Sequence, residues 1–149
     1  MTQVTHQNSG ADAARIFEQW HAFTVAKDVE GLVGLYAEDG VFESPLVPVI
    51  PEGHASGVLR GRDQIRRFFG EGVMRLSNPQ VRWYRTGKYL TDGQTLIWEY
   101  PRETPDGDQV DILEVMELRG GFIAAHRVYW GCFGTGMLAR NALSKQPKL

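Results

Sequence analysis

Leu96-Ile97-Trp98-Glu99-Tyr100, Thr104-Pro105-Asp106-Gly107-Asp108 and Val110-Asp111-Ile112-Leu113-Glu114-Val115-Met116 read in succession as strand, turn and strand. Asp-Gly between two β-rich runs is the strongest short-range hairpin signal, and it favours a two-residue type I′ turn. With Asp106 and Gly107 as the turn, Glu99 faces Glu114 across the pair. Like charges directly opposed on a ladder repel. A chain that keeps them there either neutralises them nearby or uses them.

The polar row extends one strand further. After Glu117-Leu118 the chain turns at Arg119-Gly120-Gly121 and continues Phe122-Ile123-Ala124-Ala125-His126-Arg127-Val128-Tyr129-Trp130. A three-residue loop with glycine in the left-handed position pairs 118 with 122, and so Glu114 with His126. Glu99, Glu114 and His126 then lie side by side on one sheet face, among Ile97, Ile112, Met116, Leu118, Val128 and Trp130. The other face carries Trp98, Tyr100, Leu113, Val115, Glu117, Arg127 and Tyr129, a mixed surface suited to a subunit contact. A change of one residue in either loop breaks the row.

Upstream the period changes from two to 3.6. Ser9-Gly10-Ala11-Asp12 resembles a capping box, and Ala13, Ile16, Phe17, Trp20 and Phe23 recur at helical spacing. Asp28 is placed to cap a second helix carrying Leu32, Leu35 and Tyr36 and ending near Asp39-Gly40. Val41 to Ser44 reads as a short strand stopped by Pro45. A Pro/Gly-rich stretch to Arg60 follows, of the length often used as a functional loop, with His54 inside it. A third helix is predicted over 62–76, with Ile65, Phe68, Phe69 and Val73 on its buried stripe. Helices early and an antiparallel meander late imply an α+β fold with three helices on one face of a strongly curved, mainly antiparallel sheet. Such a cone has an apolar interior, either filled by its own rings or left as a cavity. One domain is expected over 10–135, with tails at 1–9 and 136–149.

Composition excludes several classes of function. The 149 residues are 42% apolar and 23% charged, with a formal net charge of −2, which gives no electrostatic case for nucleic acid or an anionic membrane. No apolar run approaches the roughly 20 residues that span a bilayer, and the polar start lacks the pattern of a signal peptide. The single cysteine, Cys132, fits a reducing cytoplasm and reads as a small buried apolar residue. The basic cluster Arg60, Arg62, Arg66 and Arg67 reads either as an anion patch or as a solvated helix face paired with Asp63 and Glu71. A metal site from Glu99, Glu114 and His126 would need a second histidine in reach, so neither metal nor cofactor is expected.

From about Ala11 to Phe133 the chain resembles the SnoaL-like branch of the nuclear-transport-factor-2-like (NTF2-like) superfamily. The stretches that carry the resemblance are Asp28-Val29-Glu30-Gly31-Leu32, Leu35 through Pro45, Gly61-Arg62-Asp63-Gln64-Ile65 and His126-Arg127-Val128-Tyr129-Trp130-Gly131. The resemblance implies a cone-shaped α+β fold, a pocket between helices and sheet, and a homodimer through the outer sheet face. It also implies that positions 99, 114, 126, 128 and 130 look inward. By similarity to ketosteroid isomerase, Glu114 falls on the protonated acid of the oxyanion hole. The base position falls on Ser44 and the phenolic donor on Trp20. By similarity to limonene epoxide hydrolase, the catalytic triad positions fall on Glu99, Pro101 and Val128, so that triad is absent.

Two carboxylates in an apolar pocket cannot both ionise cheaply, and His126 beside Glu114 is placed to share the proton. Glu99, Glu114 and His126 are therefore the candidate catalytic residues for enolisation, dehydration or aldol-type closure. Trp20, Phe42, Ser44, Phe69, Met116, Val128 and Trp130 are expected to line the site for a small hydrophobic carbonyl or hydroxyl compound. Three other outcomes stay open at this level. Glu99 could pair with Arg82, Arg85 or Lys88, the pocket could bind without catalysing, or the cone could be filled and serve assembly.

Overall fold

A computed structural model describes residues 9–49, 56–71, 88–100 and 112–144. The order of elements is α1 (Ser9–Ala26), α2 (Val29–Gly34), β1 (Tyr36–Glu43), β2 (Val58–Arg60), α3 (Gly61–Glu71), β3 (Leu90–Thr91), β4 (Thr95–Glu99), β5 (Ile112–Arg119), β6 (Phe122–Trp130) and α4 (Cys132–Ser144). The six strands form one curved, open sheet in the order β2-β1-β6-β5-β4-β3. All neighbours run antiparallel except β1 and β6. The architecture is the α+β cone expected from the sequence.

Helix α1 buries the predicted stripe of Ala13, Ile16, Phe17 and Trp20. It stops by a backbone device. Lys27 takes φ +55°, its N–H donates to Thr24 O and that of Asp28 to Phe23 O. These two bonds form a Schellman motif and satisfy carbonyls the helix end would orphan. Asp28 then caps α2, its Oδ1 accepting the Gly31 N–H at 2.8 Å.

Helix α2 ends six residues earlier than its apolar spacing suggested. Tertiary pairing overrides local pattern here, because the Ile123 N–H donates to Leu35 O and Tyr36 pairs with Ile123 as the first residue of β1. The pairing is irregular between Tyr36 and Val41; Tyr36 and Phe42 of the strand are buried, as is Ser44 just after it. Arg62, in the first turn of α3, holds this corner, with Nε donating to the Tyr36 carbonyl at 2.8 Å and an ion pair to Glu38. Arg66 pairs with Glu30 and Asp63, so within the basic cluster these two arginines have carboxylate partners. Helix α3 buries Ile65, Phe68 and Phe69 against β1 and β2.

At the far end Cys132 is exposed, contrary to the expectation of a buried thiol. Gly131 leads the chain off the sheet and Cys132 opens α4, which continues through residues expected to be a tail. No helix among the described residues is long and apolar enough to cross a membrane. The turn at Asp106-Gly107, His54, and the end of the predicted third helix beyond residue 71 lie outside the described residues.

Candidate functional site

The inner face of the sheet is a grid set by register. Across β4, β5 and β6, Leu96 faces Met116, which faces His126; in the next row Trp98 faces Glu114, which faces Val128. In the third row the Tyr100 N–H donates to Ile112 O, and Ile112 faces Trp130. On the other side of β6, His126 pairs with Phe42 of β1.

This register corrects the first hairpin. Glu99 pairs with Leu113, one residue away from the expected match with Glu114. Because side chains alternate, a slip of one moves the whole strand to the other face. Glu99 is consequently exposed on the outer face, and Leu96, Trp98 and Tyr100 are buried on the inner one. The physical reason is burial. Placing Leu96, Trp98 and Tyr100 inside removes a large apolar area from water and lets the Glu99 carboxylate stay solvated. Glu99 therefore does not share a face with Glu114 and His126, and the expected polar row of three is reduced to the latter two.

The second hairpin corrects differently. Gly120 and Gly121, with φ of 59° and 81°, form a two-residue turn that pairs Arg119 with Phe122 where a three-residue loop was expected. A bulge follows, since Leu118 pairs with Ile123 but Glu117 with Ala125. The summed displacement is even, so Glu114 and His126 keep a common face. They sit diagonally, within side-chain reach.

At the centre of the grid four buried side chains form a chain of hydrogen bonds. Tyr36 Oη lies 2.6 Å from His126 Nδ1, and His126 Nε2 lies 2.5 Å from Glu114 Oε2. The Tyr100 hydroxyl donates to Glu114 Oε1 at 2.9 Å. The two tyrosines are the members that sequence reasoning missed. Tyr100 could have been found from its period-two alternation with Leu96 and Trp98, once Glu99 is placed outside. Tyr36 carries no such signal, because its local pattern is helical.

The bonds of this chain admit a defined set of proton positions. With Glu114 ionised and His126 neutral, the Tyr36 O–H donates to Nδ1, Nε2–H donates to Oε2, and the Tyr100 O–H donates to Oε1. One added proton gives Nδ1–H donating to Tyr36 Oη, with the shared proton on either Nε2 or Oε2. Tyr36 thus sets which imidazole nitrogen is free to exchange with Glu114. Every heavy-atom contact of the chain is the same in these arrangements, the geometry a general acid–base pair requires.

The remaining predicted residues surround this chain unequally. Trp20, Phe42 and Tyr36 place their rings 5.0, 5.1 and 6.0 Å from the His126 ring, and Phe69 packs on Trp20 and Phe42. Met116 is fully buried beside His126. Val128 packs against the core, and Trp130 is partly buried. Ser44 is buried but committed to the turn after β1, its Oγ accepting the Leu46 N–H at 3.2 Å. Among the described residues the indole Nε1 atoms of Trp20, Trp98 and Trp130 are buried without a hydrogen-bond acceptor. No group of three His, Cys, Asp or Glu side chains capable of holding a metal occurs among them.

Residues 15–126 match the SnoaL-like domain. A SnoaL-like protein of unknown function from Burkholderia thailandensis superposes with a TM-score of 0.60 at 18% identity, over 88% of this chain and 98% of that one. The epoxide hydrolase/cyclase-like enzyme SalBIII, which has a role in pyran ring formation in the polyether salinomycin, gives 0.54 at 20% identity over 83% and 93%. A candidate ketosteroid isomerase from Kribbella flavida gives 0.53 at 16% identity over 81% and 78%. At these identities the likeness is one of fold. No curated protein matches the chain in sequence. With its matched domain spanning most of its length and the open cone observed directly, the chain belongs to the SnoaL-like family.

Proposed function

We propose that this protein is a cofactor-independent acid–base catalyst of isomerase, dehydratase or cyclase type, acting on a small hydrophobic carbonyl or hydroxyl compound. The observation that carries the reading is the 2.5 Å contact of His126 Nε2 with Glu114 Oε2, closed at both ends by tyrosine hydroxyls. In this reading the Glu114 carboxylate accepts a proton from carbon next to a carbonyl, and His126 holds that carboxylate in position from behind. The proton returns at a second carbon or oxygen of the same molecule. Fold neighbours that include a cyclase-like enzyme and a candidate isomerase support the class of chemistry. The same reading places the protein in the cytoplasm as a homodimer through the outer sheet face, where Tyr129 is half-exposed.

Proton abstraction next to a carbonyl is testable without the natural substrate. Acetophenone in deuterated buffer exchanges its methyl hydrogens only slowly, and NMR follows the loss of the signal. Wild-type protein is expected to accelerate the exchange, and Glu114→Gln to lower it by about a hundredfold or more while remaining folded. Exchange no faster than in buffer, or equal in the variant, overturns the proposal. A second reading, a binding module whose network only orients its ligand, is favoured by one fact. His126 and Tyr36 are 1% and 0% exposed, so their end of the chain serves support and not contact. Under that reading Glu114→Gln spares binding and there is no exchange to lose.

A further inference from the structure

Arg62, in the first turn of α3, reaches the hydrogen-bond chain from outside it. Its Nε and Nη2 donate to the Tyr36 carbonyl at 2.8 and 2.5 Å, a two-donor grip that a planar guanidinium makes and a lysine ammonium does not. Its Nη1 pairs with Glu38, and its guanidinium lies 5.7 Å from the centre of the Phe122 ring, within cation–π range. Tyr36 is the first residue of β1 and Phe122 the first of β6. Arg62 therefore touches both sides of the seam that the Tyr36 Oη–His126 Nδ1 bond crosses.

The strand ladder does not by itself fix Tyr36 against His126. Tyr36 pairs with Ile123, and the next pair is Val41 with Ala125, so β1 advances five residues where β6 advances two. His126 belongs to the pairing that resumes beyond this gap, opposite Phe42. Trp20 and Phe69 enclose the Tyr36 ring at 6.1 and 6.5 Å, but apolar packing is non-directional. A hydrogen bond weakens steeply with angle and distance, so a phenol 2.6 Å from an imidazole nitrogen needs its backbone anchored. The Arg62 grip supplies that anchor at the carbonyl of the same residue. The bridge to Glu38 matters less, because that carboxylate is 83% exposed and such pairs contribute little.

We infer that Arg62 is a positioning residue for the Glu114–His126 pair and acts through Tyr36. The guanidinium holds the Tyr36 backbone, the Tyr36 hydroxyl holds His126 Nδ1, and the imidazole then presents Nε2 to Glu114 Oε2. This rests on the reading of Glu114–His126 as the working pair, and it names a residue on a different element that sets the pair's geometry. Arg62 meets no ligand in this scheme and exchanges no proton.

The four histidines are labelled with nitrogen-15, and their ring nitrogens are followed by NMR in the whole chain without substrate. His126 is assigned by its ring contacts with Trp20 and Phe42. Tyr36→Phe removes only the hydroxyl and should move His126 Nδ1 downfield, toward an unprotonated and unbonded nitrogen. Arg62→Gln should move Nδ1 in the same direction, by part of that shift. The double variant should match Tyr36→Phe alone, because a residue acting through the hydroxyl has nothing left to act on. A merely structural Arg62 lowers the urea midpoint and leaves Nδ1 where it is. No downfield shift of Nδ1 in Tyr36→Phe or in Arg62→Gln, or an equal added shift when Arg62→Gln is placed on Tyr36→Phe, overturns the inference. If Arg62→Gln fails to fold, Arg62→Lys, which keeps the charge and loses the fork, takes its place with the same expectation. If Tyr36→Phe fails to fold, the Arg62 variant against the wild type decides alone. Acetophenone exchange keeps this inference apart from the catalytic reading. Where both hold, Arg62→Gln should slow exchange by about three- to tenfold, the worth of one hydrogen bond. The Nδ1 shift without any wild-type exchange refutes the catalytic reading alone, and exchange with an Nδ1 indifferent to Arg62 refutes this inference alone.

Discussion

The two hairpins of the meander share the strand β5 and differ in what fixes them. In β5–β6 a two-glycine turn and a bulge set the register, and they leave Glu114 and His126 on one face. In β4–β5 the pairing beyond Trp98 follows burial of Leu96, Trp98 and Tyr100, and it sends Glu99 to solvent. Two glutamates that look equivalent in sequence therefore end in opposite environments. The lesson concerns parity. A register error of two residues preserves a site, whereas an error of one dismantles it.

The largest expected effect tests that contrast directly. His126→Leu removes the imidazole from a pair that is almost wholly buried, leaving the Glu114 carboxylate and the Tyr36 hydroxyl without their shared partner. Breaking a buried pair in this way costs roughly 3–5 kcal/mol. Glu99→Gln, on the exposed side of β4, should stay within about 0.5 kcal/mol of the wild type. Urea unfolding of both variants measures the difference. A costly Glu99→Gln with a tolerated His126→Leu would mean that the faces are assigned the wrong way round.

What was legible in the sequence follows the same division. The α1 stripe, the Asp28 cap and the glycines of the last turn are local devices, and each is realised where its residues stand. The common face of Glu114 and His126 agrees with the sequence reading through two offsetting departures, a turn one residue shorter than expected and a bulge that restores the parity. The Asp106-Gly107 signal, taken alone, turns Glu99 inward, whereas the side chains flanking Glu99 turn it out. The alternation of Leu96, Trp98 and Tyr100 was the better guide, since it carries far more buried area than any turn residue. Tyr36 was not legible. Its neighbours spell a helix, and only its pairing with Ile123 and its hydroxyl contact with His126 make it the start of a strand. One member of the four-residue network, Tyr36, thus depends on contacts across long stretches of sequence that no local pattern encodes.

A smaller effect is expected at the turn that fixes β5–β6. Gly121 has φ +81°, and a Cβ there would also approach Asp12 Oδ1 to 3.3 Å. Arg15 additionally holds the Gly121 carbonyl, tying the turn to α1. Gly121→Ala should cost about 1–2 kcal/mol through left-handed strain, measured as a shift in the urea midpoint. Since the bulge lies on the far side of Leu118, the variant should lose stability and keep the Glu114–His126 contact. If it instead abolishes the acetophenone exchange while remaining folded, the turn, and not the bulge, is what secures the parity of β6.

The smallest effect belongs to the other end of the sheet, where β3 meets β4 and a carboxylate shapes the turn. Asp92 Oδ1 accepts the Thr95 N–H at 2.7 Å and the Gln94 N–H at 2.9 Å. These backbone donors, that of Thr95 foremost, hold the Asp92 carboxyl below its ordinary value. A carboxyl lowered in the folded state binds its proton more readily when unfolded. Its contribution is therefore complete above the unfolded carboxylate value and is lost as pH falls through the folded one. Asp92→Asn keeps an acceptor oxygen and removes the charge. The wild type should be slightly the more stable at neutral pH, and the two unfolding midpoints should converge as acid protonates Asp92. The group is fully exposed, so the difference should also shrink with added salt. Midpoints that stay apart in acid would show that the Asp92 side chain acts on β4 through shape alone. The register of Trp98 would then owe nothing to charge at this turn, and burial would be left as its sole determinant.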